Sequence, residues 1–484
     1  MAHKRASMDW YPTGTQLHEH CRAFVDAFGL KRCLRLGREV ISLQRLDAGR
    51  WRVITRAAAG DWSLSGTKSE RQNDRPGDGE DEMEEEEFDF VVMAVGNFSS
   101  KFVPQVPGTE CFDGLRVHSS ELVDASVLNG RRIAIIGAGK SALDCFVLAS
   151  SRAASTTLVV RSPTWLFPQR LCGIPLRYLS STRFSADLLL PPHHDAGAAS
   201  RFIGYLCFPL RRLLWFLLAV LLWLHFQLPR SFRPSVNLQW QLWHGHSVSI
   251  CDAAALRAAV RHLGTDCVRG QASHFKQRAL VVDDVINDRR VELPVDVVVF
   301  ATGYKEAWSR LFDHETLQCL DPEGEGLSLY KQVLPTADVP GLAFVGHVMS
   351  TSDVVASFVQ AEWLAAALSG RIAWPSSQVR ARAGAGHRAW RRRFPPMTPT
   401  TLIATPCLQS YLGELIADLE PSKRQSGRCS SLRSCLRRAR GYFQPHAAAD
   451  YAFLAMANEG SDNACWVRDY QATRDLGRPG GTSC

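Results

Sequence analysis

Residues Gly130 to Asp144 read GRRIAIIGAGKSALD, and this stretch decides the fold. Ile133, Ala134, Ile135 and Ile136 form an apolar run of the length of a buried strand. Gly137, Gly139 and Ala142 give G-x-G-x-x-A, and Ser141 to Ala149 reads as the start of a helix. Strand, glycine turn and helix in that order form the context of a dinucleotide-binding site. Gly137 permits the tight turn. Gly139 has no side chain to hold a pyrophosphate away. Ala142 lets the helix sit close to the strand. Ala138, Lys140 and Ser141 complete a loop whose N–H groups and positive helix end face the phosphates.

The same residues admit a second reading. Ala134 to Ser141 fits a relaxed phosphate loop, A-x-x-x-x-G-K-S. That pattern needs residues 134 to 139 as loop, where the sequence is strand-like, and it opens on Ala instead of Gly. A second strand favours the dinucleotide reading. Thr156 to Val160 is β-branched and apolar, and it ends at Arg161. An NAD site carries an acidic residue there for the ribose hydroxyl, whereas an NADP site tolerates Arg beside the 2′-phosphate. Arg161 therefore points to NADP(H).

The chain has 484 residues, 46% hydrophobic and 21% charged, which is ordinary for a globular protein of two or more domains. Its net charge of +8 is spread along the sequence, and no nucleic-acid partner is expected. The 14 cysteines include no C-x-x-C, and Met1 to Pro12 is not a signal peptide, so an intracellular chain with reduced thiols is expected. His193-His194-Asp195, and His244 and His246 with Cys251, match no zinc spacing, and no metal site is expected.

Along the chain, strands are expected at Leu34 to Ser42, Trp51 to Thr55, Phe88 to Ala94, Val291 to Phe300 and Leu342 to Val345, with a helix from Val354 to Leu368. Thr67 to Glu87, ending in DEMEEEE, reads as a solvated acidic loop. Residues 172 to 250 interrupt the α/β pattern with an apolar insertion. Within it, Leu213 to Phe226 is uncharged but shorter than the roughly 20 residues a bilayer requires, with Pro209, Arg211 and Arg212 breaking the run before it. Two readings stay open: a buried helix or lid, and peripheral membrane contact through residues 202–226. Gly384 and Gly386 lack a preceding strand and are rejected as a nucleotide loop. Arg391 to Arg393 reads as a solvated basic face, and Pro421 to Cys435 as a linker.

The glycine loop does not stand alone. It is followed by VVRSPTW (Val159 to Trp165) and DVVVFATGY (Asp296 to Tyr304), and preceded by Phe112-x-Gly114-x-x-x-His118. Together these resemble the flavin-containing monooxygenases, the plant-type branch most closely, over roughly residues 10–370. The resemblance implies an α/β fold with two dinucleotide-binding, Rossmann-like domains, the NADP domain inserted into the FAD domain. The corresponding boundaries here are 1–128 and 293–370 for the FAD-binding domain, 129–292 for the NADP domain with its apolar insertion, and 371–484 for a C-terminal extension. It places Gly137, Gly139, Ser141 and Ala142 at the NADP phosphates and Arg161 near the 2′-phosphate. Ala94, Gly96 and Asn97, and Ala301, Thr302, Gly303 and Tyr304, match the two strand ends that connect the domains. Gly346 corresponds to a turn passing close to the flavin.

The family's first strand–turn–helix, with its own G-x-G-x-x-G and a following acidic residue, has no counterpart before Gly137, and Leu122 stands where an aromatic would end the marker element. The FAD-binding domain is thus expected to be N-terminally incomplete, and this chain to hold FAD weakly or not at all. The resemblance implies an NADPH-dependent flavin monooxygenase that oxygenates a small nitrogen- or sulfur-containing nucleophile, located in the cytoplasm, with association to the endoplasmic reticulum surface as an extension of the membrane reading. No catalytic side chain is singled out, because the chemistry belongs to the cofactors. The competing expectation is a catalytically inactive NADP-binding relative or truncated isoform.

Overall fold

The structure, a computed structural model, describes residues 14–58, 83–176, 182, 185, 188, 189, 202, 205, 206, 208–243, 249–324, 326–350, 353–392, 403–405 and 408–419. The chain divides into two compact units, one of residues up to Val91 with Ser309–Thr316, the other of Val92–Trp308 and the residues from Leu317 onward.

The second unit is built on a seven-stranded sheet. Its order is Arg289–Pro294, Ala279–Asp284, Thr265–Lys276, Ser155–Val160, Arg132–Ile136, Val297–Phe300 and Leu115–His118. The last five run parallel, and the first three form an antiparallel meander at one edge. Strand alternation sends Ile133 and Ile135 to one face, where they pack with Leu143, Phe146, Leu158 and Leu256. Ala134 goes to the other face, with Val159, Val298, Phe300 and Phe275. Both faces are covered, which is why these strands read as continuous apolar runs. Each fully buried Val or Ile here contributes about 1.5–3 kcal/mol.

Chain order places the ligand end of this sheet. From Arg132–Ile136 the chain moves outward through Ser155–Val160 to Thr265–Lys276, then returns to the opposite side at Val297–Phe300. The strand order therefore reverses between Arg132–Ile136 and Val297–Phe300, and open α/β sheets bind ligands at the carboxyl ends of such strands.

Two expected strands resolve differently in this structure. Val291 to Phe300 is two strands, an antiparallel edge at Arg289–Pro294 and a central parallel strand at Val297–Phe300. Pro294 has no N–H to continue a ladder, and the Asp296 carboxylate accepts from the Arg132 backbone N–H at 2.9 Å and from its guanidinium at 3.0 and 2.6 Å. That guanidinium holds the Asp296 carboxyl down at about 2. Phe88 to Ala94 is likewise broken at Asp89 and Phe90, leaving Val91–Met93 to pair with Leu342–Phe344.

The helix expected from Leu213 runs from Phe208 to Phe226. Pro209 lies within the helical residues and does not break them. At 19 residues, and about 1.5 Å per residue, the helix reaches the length and composition of a membrane span. It is not a buried helix either: only Arg211, Trp215, Leu222 and Phe226 are buried along it.

In the first unit, Arg38–Arg45, Trp51–Ala57 and Glu84–Phe88 form a three-stranded antiparallel sheet. The strand expected from Leu34 starts only at Arg38, after a 3-10 turn at Leu30–Cys33 and Gly37 at φ 73°. The acidic run is not loop at its end, because Glu84 to Glu87 are paired strand residues. Arg38 meets Glu84 at 2.7 Å, Arg50 meets Glu87 at 3.0 Å and Arg35 pairs with Glu86, so neighbouring arginines neutralise a run that would otherwise repel itself. Trp51, fully buried, packs edge-on against Phe312 with ring centroids 5.8 Å apart. Residues 193–195, 244, 246 and 421–435, and most of the acidic stretch, lie outside the described residues.

Candidate dinucleotide site

The glycine turn lies where the sheet reverses its order. Strand Arg132–Ile136 ends at Gly137, and helix Lys140–Ser150 begins after Gly139. Gly137 sits at φ 148°, and its N–H donates to the Val159 carbonyl at 3.0 Å. A Cβ at Gly137 would lie 2.2 Å from the Ala301 carbonyl oxygen and 3.2 Å from the Ala142 Cβ. Glycine is thus required here by the close approach of the returning strand. Gly139 differs. Nothing lies within 4 Å of where its Cβ would be, and its backbone is ordinary extended chain at φ −83°. The face of the turn that a pyrophosphate would use is therefore open, while the face toward the sheet is closed.

Ala138 is half-buried against the core, and Ala142 is fully buried. Ser141 and Lys140 are exposed at the helix start, Lys140 in an ion pair with Asp144 one turn on. Behind them Cys145 and Cys251 are buried in apolar surroundings that push their thiols up to about 11 and about 12, so neither supplies a thiolate near neutral pH. Arg161 follows the parallel neighbour Ser155–Val160 directly and is exposed. The structure thus brings Gly137 to Ala142 to the carboxyl edge of one strand and Arg161 to that of the next.

The two crossing segments meet on the other flank. Ser100–Lys101 pairs antiparallel with Tyr304–Lys305. Gly303, at φ 84°, accepts at its carbonyl from the Phe102 N–H at 2.9 Å, and Thr302 donates its hydroxyl to the Phe102 carbonyl. His118 locks this crossing. Its ring is 1% exposed, with Nε2 3.1 Å from the Gly303 carbonyl and Nδ1 accepting from the Ser120 N–H at 3.2 Å. A carbonyl can only accept, so Nε2 carries the proton. The Phe-x-Gly-x-x-x-His element is accordingly structural: a Cβ at Gly114 would lie 2.3 Å from the Phe112 ring, Phe112 packs on Phe275, and His118 pins the Ala301–Tyr304 turn.

A second turn stands beside the first crossing strand. Val91–Met93 and Leu342–Phe344 pair, and the Val345 N–H donates to the Met93 carbonyl at 2.9 Å. Ala94 is exposed, and Gly96 takes φ 64°. The Asn97 side-chain amide donates to the Val348 carbonyl at 3.1 Å, joining the 94–97 turn to the Gly346 turn. Gly346 sits at φ 76°, and its N–H donates to the Gln360 side chain at 2.7 Å.

Several residues that organise this region escaped sequence reasoning. Gln360 is fully buried in helix Asp353–Leu368 and also donates to the Tyr411 hydroxyl at 2.7 Å and the Gln332 carbonyl at 3.3 Å. A lone Gln on the apolar stripe of VVASFVQAEW is the signal that could have marked it. Buried His347 and half-buried Glu306 stand together, Nε2 to Oε1 3.8 Å, with Trp308 Nε1 donating to Glu306 at 2.8 Å. Burial lifts the Glu306 carboxyl and brings His347 down to about 4.

Known proteins resemble this chain in sequence and in fold. A family model, flavin-binding monooxygenase-like, matches residues 9–191 and 259–390, more than half of the chain. The chain belongs to the flavin-binding monooxygenase-like family. Within the family, it is 24% identical over 369 residues to the N-oxide-forming dimethylaniline monooxygenase 4 of Mus musculus, covering 74% of this chain and 56% of that protein. It is 24% identical over 397 residues to the probable flavin-containing monooxygenase 1 of Arabidopsis thaliana, covering 76% and 71%. The cyclohexanone monooxygenase of Rhodococcus sp. Phi1, solved bound to NADP+, superposes with a TM-score of 0.56 at 18% identity, covering 86% of this chain and 84% of that one. Its fold is the two-domain α/β architecture of the flavin monooxygenases. The chain spans little more than half the length of the mouse relative.

Proposed function

We propose that this chain binds NADP(H) at Gly137 to Ala142 and serves a flavin-dependent monooxygenase reaction on a small nucleophilic substrate containing nitrogen or sulfur. The observation that carries the reading is the open face of Gly139 at the reversal of strand order, with Arg161 at the end of the adjoining strand. Gly139 admits the pyrophosphate, the helix start at Lys140 and Ser141 offers N–H donors, and Arg161 supplies a planar cation for the 2′-phosphate. No Asp or Glu immediately follows Val160 to repel that phosphate.

When bound, NADPH and flavin supply the redox chemistry. The protein's own contribution on the flavin side is a wall made of Ala94, Gly96 and Asn97, the turn Ala301 to Tyr304, and Gly346, held by His118 and Gln360. The strand–glycine turn–helix that cradles the FAD pyrophosphate in this family is not among the described residues. Because no G-x-G-x-x-G stands before Gly137 in the sequence, we propose that these 484 residues hold FAD weakly or not at all, a reading that near-stoichiometric flavin absorbance of the purified protein would overturn. The domain limits follow the same reading: 129–292 for the NADP domain, flanked by 1–128 and 293–370, then 371–484. It also sets the chain in the cytoplasm at the surface of the endoplasmic reticulum, touching membrane through residues 202–226, with no nucleic-acid partner.

Titrating NADPH and NADH against the wild type and Arg161→Ala tests the site. A hydrogen bond to a charged group contributes about 1.5–3 kcal/mol, so NADPH binding weakens roughly 10- to 150-fold while NADH binding hardly changes. Equal losses for both nucleotides would mean that Arg161 only supports the strand end. NADPH binding without any flavin-dependent oxygenation would favour the inactive relative.

A further inference from the structure

Helix Phe208–Phe226 exposes the wrong side for a protein in water. Leu213, Phe216, Leu217, Val220, Trp223 and Leu224 recur at three- and four-residue spacing, so they share one face. Phe216 is 64% exposed and Leu213 53%. Soluble monomers rarely leave so continuous an apolar stripe uncovered unless it is an interaction surface. The opposite side is anchored. Trp215 donates through Nε1 to the Leu189 carbonyl at 2.9 Å, Arg211 through Nε to the Leu188 carbonyl at 2.9 Å, and Trp215, Leu222 and Phe226 join the core that holds Leu158 and Leu256.

Charge identifies the occupant. From Ala196 to Cys251 the sequence contains no Asp, Glu or Lys and five arginines: Arg201, Arg211, Arg212, Arg230 and Arg233. This segment alone therefore carries a net charge of +5. Two exposed arginines flank the stripe, each over an aromatic ring of the helix: Arg212 is 5.8 Å from the Phe208 centroid and Arg233 5.5 Å from that of Trp223. A cation at each end of an apolar face, one of them over the amphipathic ring of Trp223, suits the boundary between headgroups and acyl chains. A hollow of about 360 Å³ beside the helix is lined mostly by apolar side chains, with Thr164 and Arg233 among them. The helix falls between residues 191 and 259, in the gap between the two segments that the family model matches.

We infer that helix Phe208–Phe226 lies in the plane of an anionic bilayer, its Leu213–Leu224 face in the acyl boundary and Arg212, Arg230 and Arg233 among acidic headgroups. This rests on the membrane contact proposed above and adds the lipid class and the geometry. The helix is long enough to span, but spanning would tear Trp215, Leu222 and Phe226 from the core, whereas lying flat keeps both faces satisfied.

The test is flotation of the full chain with vesicles of phosphatidylcholine, and of phosphatidylcholine with about 30 mol% phosphatidylserine. Each surface arginine adds about 1 kcal/mol on an anionic membrane, so with three arginines the mixed vesicles bind the wild type roughly 150-fold more tightly, and Arg212→Glu with Arg233→Glu removes most of that preference. Leu213→Glu with Phe216→Glu abolishes flotation on either vesicle. Unchanged NADPH affinity shows that these variants remain folded. Flotation with neither vesicle overturns the membrane contact itself. Equal flotation with both, unaffected by the arginine changes, leaves the contact standing and overturns the anionic assignment. Retention in vesicles after sodium carbonate treatment overturns the flat geometry.

Discussion

The two glycine turns of the larger unit, at Gly137 and at Gly346, are alike in the chain and unlike in what holds them. Each follows a short strand, and each glycine has a positive φ. At Gly137 the constraint is steric: backbone from the neighbouring strand fills the place of a side chain. At Gly346 an added Cβ would meet only the Ser357 side chain, its hydroxyl at 3.1 Å, and the turn is tied chiefly by a hydrogen bond into a buried network. Its N–H donates to Gln360, Gln360 donates to Tyr411, and the Tyr411 hydroxyl donates to the Lys331 carbonyl at 2.9 Å. Lys331 and Trp363 both reach Asp418, so the second turn depends on helix Leu408–Leu419. A turn closed by contact is set by its own strand and its neighbour. A turn held through polar partners is set by elements far along the chain, and it fails whenever one of them is lost.

Breaking the steric turn carries the largest cost. Gly137→Ala puts a methyl against the Ala301 carbonyl in a backbone region that L-residues avoid, and a loss of about 3–5 kcal/mol in denaturant unfolding is expected. A loss below about 1 kcal/mol would show that the two strands can separate freely, and the contrast between the turns would disappear.

The next effect belongs to the second turn and is read from pH. His347 follows Gly346, is buried, and has no partner at Nδ1 among the described residues. Its pKa is about 4 in the fold against an ordinary 6.5. Between those values the unfolded chain binds the extra proton, so this contribution to stability is fully present above about pH 6.5 and is lost as pH falls toward 4. The total is about 3 kcal/mol. Glu306, its raised partner, works in the opposite sense, holding its proton better in the fold and losing that contribution as pH rises above the ordinary carboxylate range. Unfolding of wild type and His347→Leu across pH 4–7 isolates the histidine, because only the wild type should show its slope. Parallel curves would remove His347 from the account.

Gln360→Leu tests the network at constant pH. It strips partners from the Gly346 N–H and the Gln332 carbonyl inside the core, and a loss of about 2–3 kcal/mol is expected. A near-neutral outcome would mean that the turn is held by packing, as Gly137 is.

The smallest effect sharpens the first turn. Gly139→Ala meets nothing within 4 Å and keeps an ordinary backbone, so stability should change by no more than about 0.5 kcal/mol. NADPH binding should nevertheless weaken, because the new methyl occupies the open face. Paired unfolding and NADPH titration therefore separate the two glycines, one needed for the fold and one for the ligand.

How much of this was readable beforehand follows the same division. The strand Arg132–Ile136, the glycine turn, the helix after it and the strand before Arg161 all stand in the sequence as consecutive residues, because a strand–turn–helix encodes its constraints within a few positions. The Phe112–His118 element was visible as a pattern, but its reason, a histidine reaching the Gly303 carbonyl 185 residues away, was not. Composition gave the apolar character of residues 213–226 and missed that the helix already includes Phe208 to Arg212, since Pro209 and the two arginines looked like a break.

The sequence by itself determined the local units: where strands alternate with helices, which glycines sit in turns, and which cation ends the second strand. These depend on side-chain periodicity and backbone freedom, which act over a few residues. Only the tertiary structure decided what those units face. It set the Ala301 carbonyl against Gly137, gave Gly346 its partner in Gln360, paired Glu84 to Glu87 with arginines as a strand, and turned the apolar side of Phe208–Phe226 outward. Each of these joins residues distant in the chain, and sequence periodicity shows that a face is apolar without showing what covers it.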